Sequence, residues 1–115
     1  MNINDLSLYE CCKWIAEANN YRYDSRYECA YSSGWYRMEN GEVAFYNKMP
    51  IEPTLDVANR CLPDGFNYTF VRSATGSVFG SAERGSFRIE AADTDETVVR
   101  FRLAIACRMF MLART

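Results

Sequence analysis

Histidine is absent from the 115-residue chain. Its absence removes the commonest general base near neutral pH and the commonest zinc ligand, and it excludes Ser-His-Asp and Cys-His catalysis. An excess of positive charge is missing too. Thirteen Lys and Arg against 15 Asp and Glu leave a formal charge of −2, which disfavours strong nonspecific nucleic-acid binding. No apolar run reaches the roughly 20 residues that span a bilayer, so no membrane association is expected. The opening MNINDLSLYECCKW shows no basic leader, apolar core and small-residue cleavage site, and the expectation is a cytoplasmic protein. Cys11, Cys12, Cys29, Cys61 and Cys107 have neither CxxC nor regular framework spacing. They read as reduced thiols in a reducing compartment.

What is present is enough to fold. With 49% hydrophobic and 15% aromatic residues, the chain can bury the apolar surface that offsets the entropy of ordering it. Its length suits a single domain over 1–115, without internal repeat or linker.

Ser7 and Glu10 have capping-box spacing, and Leu8, Cys11, Cys12, Ile15 and Ala16 form one apolar face, which predicts a helix over about 8–18 with Asn19 and Asn20 as stops. In the segment from Tyr21 to Gly34, Tyr23, Tyr27 and Tyr31 fall four residues apart. A short helix carrying a tyrosine stripe and an irregular loop are both open there. Asn40-Gly41 between WYRME and EVAFY signals a β-hairpin, since both turn residues tolerate positive φ.

Thr54 is placed to cap a short helix over about 55–62, ended by Pro63-Asp64-Gly65. FNYTFVRS, SVFGSA and SFRIEA read as three strands of an antiparallel meander, with Glu83-Arg84-Gly85 as a turn and the other glycines of SATGSVFGSAERG also in turns. Asp93 and Glu96 predict a second capping box, opening a long apolar helix over about 94–113. The expected class is therefore α+β: a small antiparallel sheet of meander plus hairpin, packed with helices in an α-β-α layered sandwich.

Two segments carry a family resemblance. In PIEPTLDVANRC, Pro50, Pro53, Thr54 and Asp56 match a P-x-x-P-[ST]-x-D pattern, and in RLAIACRMFMLA, Leu103, Ala104, Ile105 and Arg108 approximate an L-A-I-x-R-A pattern. Over roughly residues 35–114 the chain resembles the phage ABA sandwich domain family of small phage and prophage proteins. It departs from that pattern where Ala106 and Cys107 together separate Ile105 from Arg108. The resemblance implies a layered α-β-α fold and a phage origin, and it carries no common activity. Arg108 reads as a long stem covering apolar surface with its head reaching water or a carboxylate.

The candidate binding residues are Tyr21, Arg22, Tyr23, Arg26, Tyr27, Tyr31, Trp35 and Arg37. Tyrosine, tryptophan and arginine dominate interface hot spots, through rigid contact area and planar bidentate hydrogen bonding. The competing account has half of these rings packing on a sheet and the rest decorating a loop. Cys11 and Cys12 read as core, and acidic pairs such as Asp93 with Asp95 as helix capping rather than cation ligands. No catalytic residue, metal or cofactor is expected.

With the family resemblance, these features give the expectation of a non-enzymatic phage protein that occludes a host defence component, such as a CRISPR effector. The alternative is a sponge that holds a nucleotide immune signal in a Tyr/Arg-lined pocket, at a subunit interface if the chain is a homodimer.

Overall fold

The computed structural model describes residues 1–114. It is an α+β fold of two three-stranded antiparallel sheets and three α-helices. The helices are α1 (Leu8–Ala18), α2 (Leu55–Cys61) and α3 (Glu96–Ala113). One sheet is β1 (Arg22–Cys29), β2 (Ser32–Glu39) and β3 (Glu42–Tyr46), and the other is the meander β4 (Asn67–Arg72), β5 (Val78–Arg84) and β6 (Phe87–Asp93). The chain divides into two compact units, one of residues 1–11 with 53 onward and one of Cys12–Glu52.

The capping box of α1 forms as expected. The Glu10 backbone N–H donates to Ser7 Oγ at 3.1 Å, and the Ser7 N–H to Glu10 Oε1 at 3.2 Å, satisfying two groups that the first turn leaves without partners. Asn20 ends the helix at a φ of 69°. Its N–H donates to Glu17 O and the Tyr21 N–H to Ala16 O, the double bond of a left-handed helix terminus. That closure aims the chain directly into β1.

In the larger unit, α3 lies on β5 and β6, and α2 packs on α3. Every residue from Phe101 to Cys107 is buried. One of them is Arg102, 7% exposed. Its Nε and Nη2 donate to Leu6 O at 3.0 and 2.7 Å, its Nη1 donates to Ala92 O at 2.9 Å, and Asp93 Oδ1 lies 3.5 Å away. A buried guanidinium with donors left unpaired would be costly. Here the carbonyls of the N-terminal segment and of β6 receive it, so one side chain ties three segments together.

Four local expectations are corrected. Glu83 and Arg84 are not turn residues: they pair with Arg88 and Phe87 in the β5-β6 ladder, which leaves Gly85 and Ser86 as the turn. Residues 22–29 form a strand, neither a tyrosine-striped helix nor a loop. The cap of α3 is Asp95, whose side chain accepts from the Thr97 N–H at 2.9 Å, while Asp93 closes β6 and accepts from the Asp95 N–H. Gly80 is not a turn residue. It sits inside β5, where a Cβ would lie 2.7 Å from Val99 Cγ1 and 2.9 Å from Leu103 Cδ1, so the missing side chain is what lets α3 approach the sheet. The hairpin at Asn40-Gly41, the Thr54 cap of α2 and the β4-β5-β6 meander stand as expected.

Replacing Arg102 with Met keeps the volume and strips the donors, leaving Leu6 O and Ala92 O without their buried partner. Loss of bonds to a charged group at this depth is expected to lower unfolding free energy by about 3 kcal/mol. Gly80→Ala forces α3 outward, with an expected loss of about 2 kcal/mol from overpacking. Urea denaturation of both variants against the parent chain checks each value.

Candidate functional site

In a hairpin, residues directly opposite each other point to the same face of the sheet. Trp35 opposes Tyr46, Arg37 opposes Ala44, and Glu39 opposes Glu42. Tyr23, opposite Trp35 on β1, joins that set. Tyr36 opposes Phe45 and Met38 opposes Val43, which defines the other face. The Asn40-Gly41 turn, with φ of 51° and 81°, sets this register without a bulge between β2 and β3.

On β1 the register breaks. Tyr23 pairs with Trp35 and Glu28 with Ser33, so Asp24, Ser25, Arg26 and Tyr27 arch out opposite Gly34. Gly34 adopts a φ of +94°, and a Cβ there would meet Tyr23 Cε2 at 2.7 Å and Asp24 O at 3.0 Å. The bulge therefore requires glycine at this position. It places Tyr27 over the second face, with ring centroids 5.3 Å from those of both Tyr36 and Phe45.

The eight residues singled out in the sequence are split by this geometry. On the first face, Tyr21 is half-buried, meets Tyr46 edge-on at 5.2 Å and carries the Arg37 guanidinium 4.4 Å above its ring. Arg37 donates to Glu39 at 3.0 Å, and Tyr46 donates its hydroxyl to the same carboxylate. Tyr23 packs 5.6 Å from Trp35 and donates to Glu28. Trp35 is only 3% exposed. Its place in a partner-contacting set is thus corrected: the ring is a core element beneath Tyr23.

Arg22 is exposed and donates to the carbonyls of Glu17 and Tyr21. Arg26 grips Asp24 through Nε and Nη2, the shortest contact being 2.6 Å. Tyr31, at the hairpin tip, is 89% exposed.

The second face is the better candidate site. Tyr27, Met38, Val43 and Phe45 are 41%, 58%, 47% and 51% exposed, with half-buried Tyr36 between them. Neighbouring exposed apolar side chains on one rigid sheet mark an interaction surface more often than isolated ones do. Of these five, Tyr27 and Tyr36 belong to the Tyr/Arg-rich segment that the sequence marks out, and Tyr27 is the one among the candidate binding residues. Tyr36, Met38, Val43 and Phe45 were readable from the hairpin itself, because the Asn40-Gly41 register dictates that they share a face.

Two pairs of charges on this sheet, Asp24 with Arg26 and Glu39 with Arg37, are mutually occupied. Hydrogen bonds from Arg26 hold the Asp24 carboxyl below its ordinary range, and Asp24 in turn raises the Arg26 guanidinium. The Tyr46 hydroxyl, followed by Arg37, lowers Glu39. Glu39 in return pushes the Tyr46 phenol up to about 12.

Elsewhere, burial raises the Cys107 thiol to about 11 and shifts Cys61 upward. Among the described residues, the cavities on the larger unit include two. One, of about 390 Å³, is lined by Thr69, Val71, Phe79 and Arg88, with Arg88 held by Glu83 and Glu90. The other, of about 540 Å³, is lined by Ile3, Phe87, Met109 and Phe110. Among the described residues, no three His, Cys, Asp or Glu side chains converge as a metal site, and no helix is long and apolar enough to cross a membrane.

The Tyr46–Glu39 bond makes a titration testable. The tyrosinate absorbance difference between the parent chain and Tyr46→Phe should show a phenol ionising at about 12. In a Glu39→Gln background the same difference should move down toward the ordinary phenol value, because the carboxylate that favours the protonated phenol is gone. A scan against models of known protein families, and searches of curated proteins and of solved structures, find no match to the chain.

Proposed function

We propose that this chain is a non-enzymatic binding protein that acts by covering the surface of a protein partner with the aromatic face of its first sheet. The observation that carries the reading is the contiguous exposed set of Tyr27, Met38, Val43 and Phe45 around Tyr36. These side chains offer large contact area, and the three aromatic rings lose little conformational freedom on binding. The paired charges of Asp24 and Arg26 sit beside them, as a polar rim sits beside an interface core.

The chemistry of the chain supports contact over catalysis. Imidazole is absent, and the Cys61 and Cys107 thiols are raised in pKa, away from the thiolate form that a nucleophile needs. The resemblance to small phage proteins makes the partner a protein of a bacterial host, with a defence component as the reading that gives a phage reason to occlude it. A nucleotide sponge is less well supported. Arg26 and Arg37 already hold carboxylates and Arg22 holds backbone carbonyls, so a phosphate would have to displace them.

Capture from bacterial lysate by the immobilised chain, followed by affinity measurement on the retained protein, tests the reading. Tyr27→Ala and Met38→Asp should each weaken the complex by about 2 kcal/mol, roughly 30-fold. Arg60→Ala on α2 should leave it unchanged. Equal affinity for all four chains would remove the aromatic face from the account.

A further inference from the structure

A three-stranded sheet has two edges, and an unprotected edge is a template for another strand. The edge of β1 is broken by the arch from Asp24 to Tyr27 and carries the Arg26–Asp24 ion pair. On β6, the edge is occupied by Asn4, whose Oδ1 accepts from the Ala92 N–H at 3.3 Å and whose Nδ2 donates to Glu90 O at 3.5 Å. That side-chain amide takes the place of a neighbouring strand's peptide. The edges of β3 and β4 have neither device, and of the two, β3 carries a self-complementary series of side chains about Ala44. Glu42–Tyr46 pairs with β2 without a bulge, contains no Pro or Lys, and presents Val43 and Phe45 about half exposed.

From this contrast we infer that the β3 edge binds the β3 edge of a second copy, antiparallel about a two-fold axis at Ala44. The backbone directions favour it. In a two-residue hairpin the residues flanking the turn exchange both backbone bonds, and bonded pairs alternate along the ladder. Glu42, Ala44 and Tyr46 therefore direct their N–H and C=O groups toward β2, while Val43 and Phe45 direct theirs outward. Pairing about Ala44 sets Val43 opposite Phe45 of the second copy, and Phe45 opposite its Val43. Each such pair exchanges two N–H···O=C bonds.

The side chains agree with the same register. On the aromatic face, apolar Val43 meets apolar Phe45. On the other face, Ala44 meets Ala44 and the Glu42 carboxylate meets the Tyr46 phenol, so no like charges are opposed. A partner of unrelated sequence would have to supply this complement, and the chain already carries it. The result is one six-stranded sheet, with the aromatic faces of two copies side by side and both still open. The pairing does not depend on what that face binds.

The test is a charge swap at Ala44, which lies off the aromatic face. Sedimentation of the parent chain over a concentration series should show a monomer–dimer equilibrium. Ala44→Lys and Ala44→Glu each place like charges directly across the axis and should weaken self-association by roughly a hundredfold or more. Mixed together, they should recombine as a heterodimer.

A second measurement covers a failure of either variant to fold. Ala44→Cys in a Cys29→Ser background should form a disulfide with its own copy on mild oxidation, since facing residues of a non-bonded antiparallel pair lie about 4.5 Å apart at Cα, within disulfide range. A parent chain that stays monomeric throughout, Ala44→Lys that dimerises as well as the parent, variants that fail to recombine, or Ala44→Cys that does not cross-link would each overturn the pairing. Capture of a host protein that is lost in Tyr27→Ala but kept in Ala44→Lys would leave the binding face standing and the dimer judged by its own data.

Discussion

A guanidinium in the middle of an apolar helix has to find acceptors, and the arrangement of the larger unit follows from where Arg102 finds them. Its donors end on Leu6 O and Ala92 O, with Asp93 beside them. These acceptors belong to segments far apart in the chain. An alternative packing of α3 would have to bury the same charge without them, at the cost of desolvation. The apolar residues around Arg102 supply the driving force for burial, but they are non-directional. Arg102 supplies the direction, because its planar fork accepts few orientations. Asn4, just upstream of Leu6, then lies against β6 with its amide on Glu90 and Ala92.

In the smaller unit the equivalent constraint is backbone geometry. The two-residue turn at Asn40-Gly41 sets the register of β2 on β3, and the positive φ of Gly34 admits the arch in β1. Together they decide which side chains share a face. Without the arch, the even spacing between Tyr23 and Tyr27 would put both rings on the same side of the strand. With it, Tyr23 covers Trp35 while Tyr27 reaches Tyr36 and Phe45 on the opposite side.

This explains what the sequence did and did not make legible. Signals written in local chemistry survived: the Ser7/Glu10 box, the Thr54 cap and the Asn40-Gly41 turn each act through backbone groups a few residues away. Signals resting on periodicity failed where another constraint interrupted the period. The four-residue spacing of Tyr23, Tyr27 and Tyr31 suits one face of a helix and one face of a strand alike, and the arch then breaks the period by moving Tyr27 to the face opposite Tyr23. Asp93 has the right distance to Glu96 for a capping box, but it is still in β6, and Asp95 occupies the cap. Gly80 looks like turn punctuation, and only the nearness of Val99 and Leu103 reveals that it makes room for α3. The candidate site was half legible for a related reason. Residue type marks Tyr27 and Tyr36, while Met38, Val43 and Phe45 follow from the hairpin register rather than from their residue type.

The charge pattern of the first sheet bears on how an exposed apolar face is tolerated. Its arginines are held by Asp24, Glu39 and backbone carbonyls, so the surroundings of the face present paired charges rather than an unbalanced positive field. Such a rim steers weakly and discriminates by shape and apolar fit. It also repels a second copy weakly, which makes the strand edges the deciding element. Two edges in the molecule are obstructed, one by a bulge with an ion pair and one by the Asn4 amide. The β3 edge combines outward-facing backbone groups with Val43 and Phe45, features that in an unpaired strand invite disordered stacking. A closed two-fold pairing satisfies that edge and leaves none of it to propagate, while the face beside it remains open. On this view the open edge and the aromatic face are separate devices on one strand: the edge is consumed by self-pairing, and the face is kept for a partner.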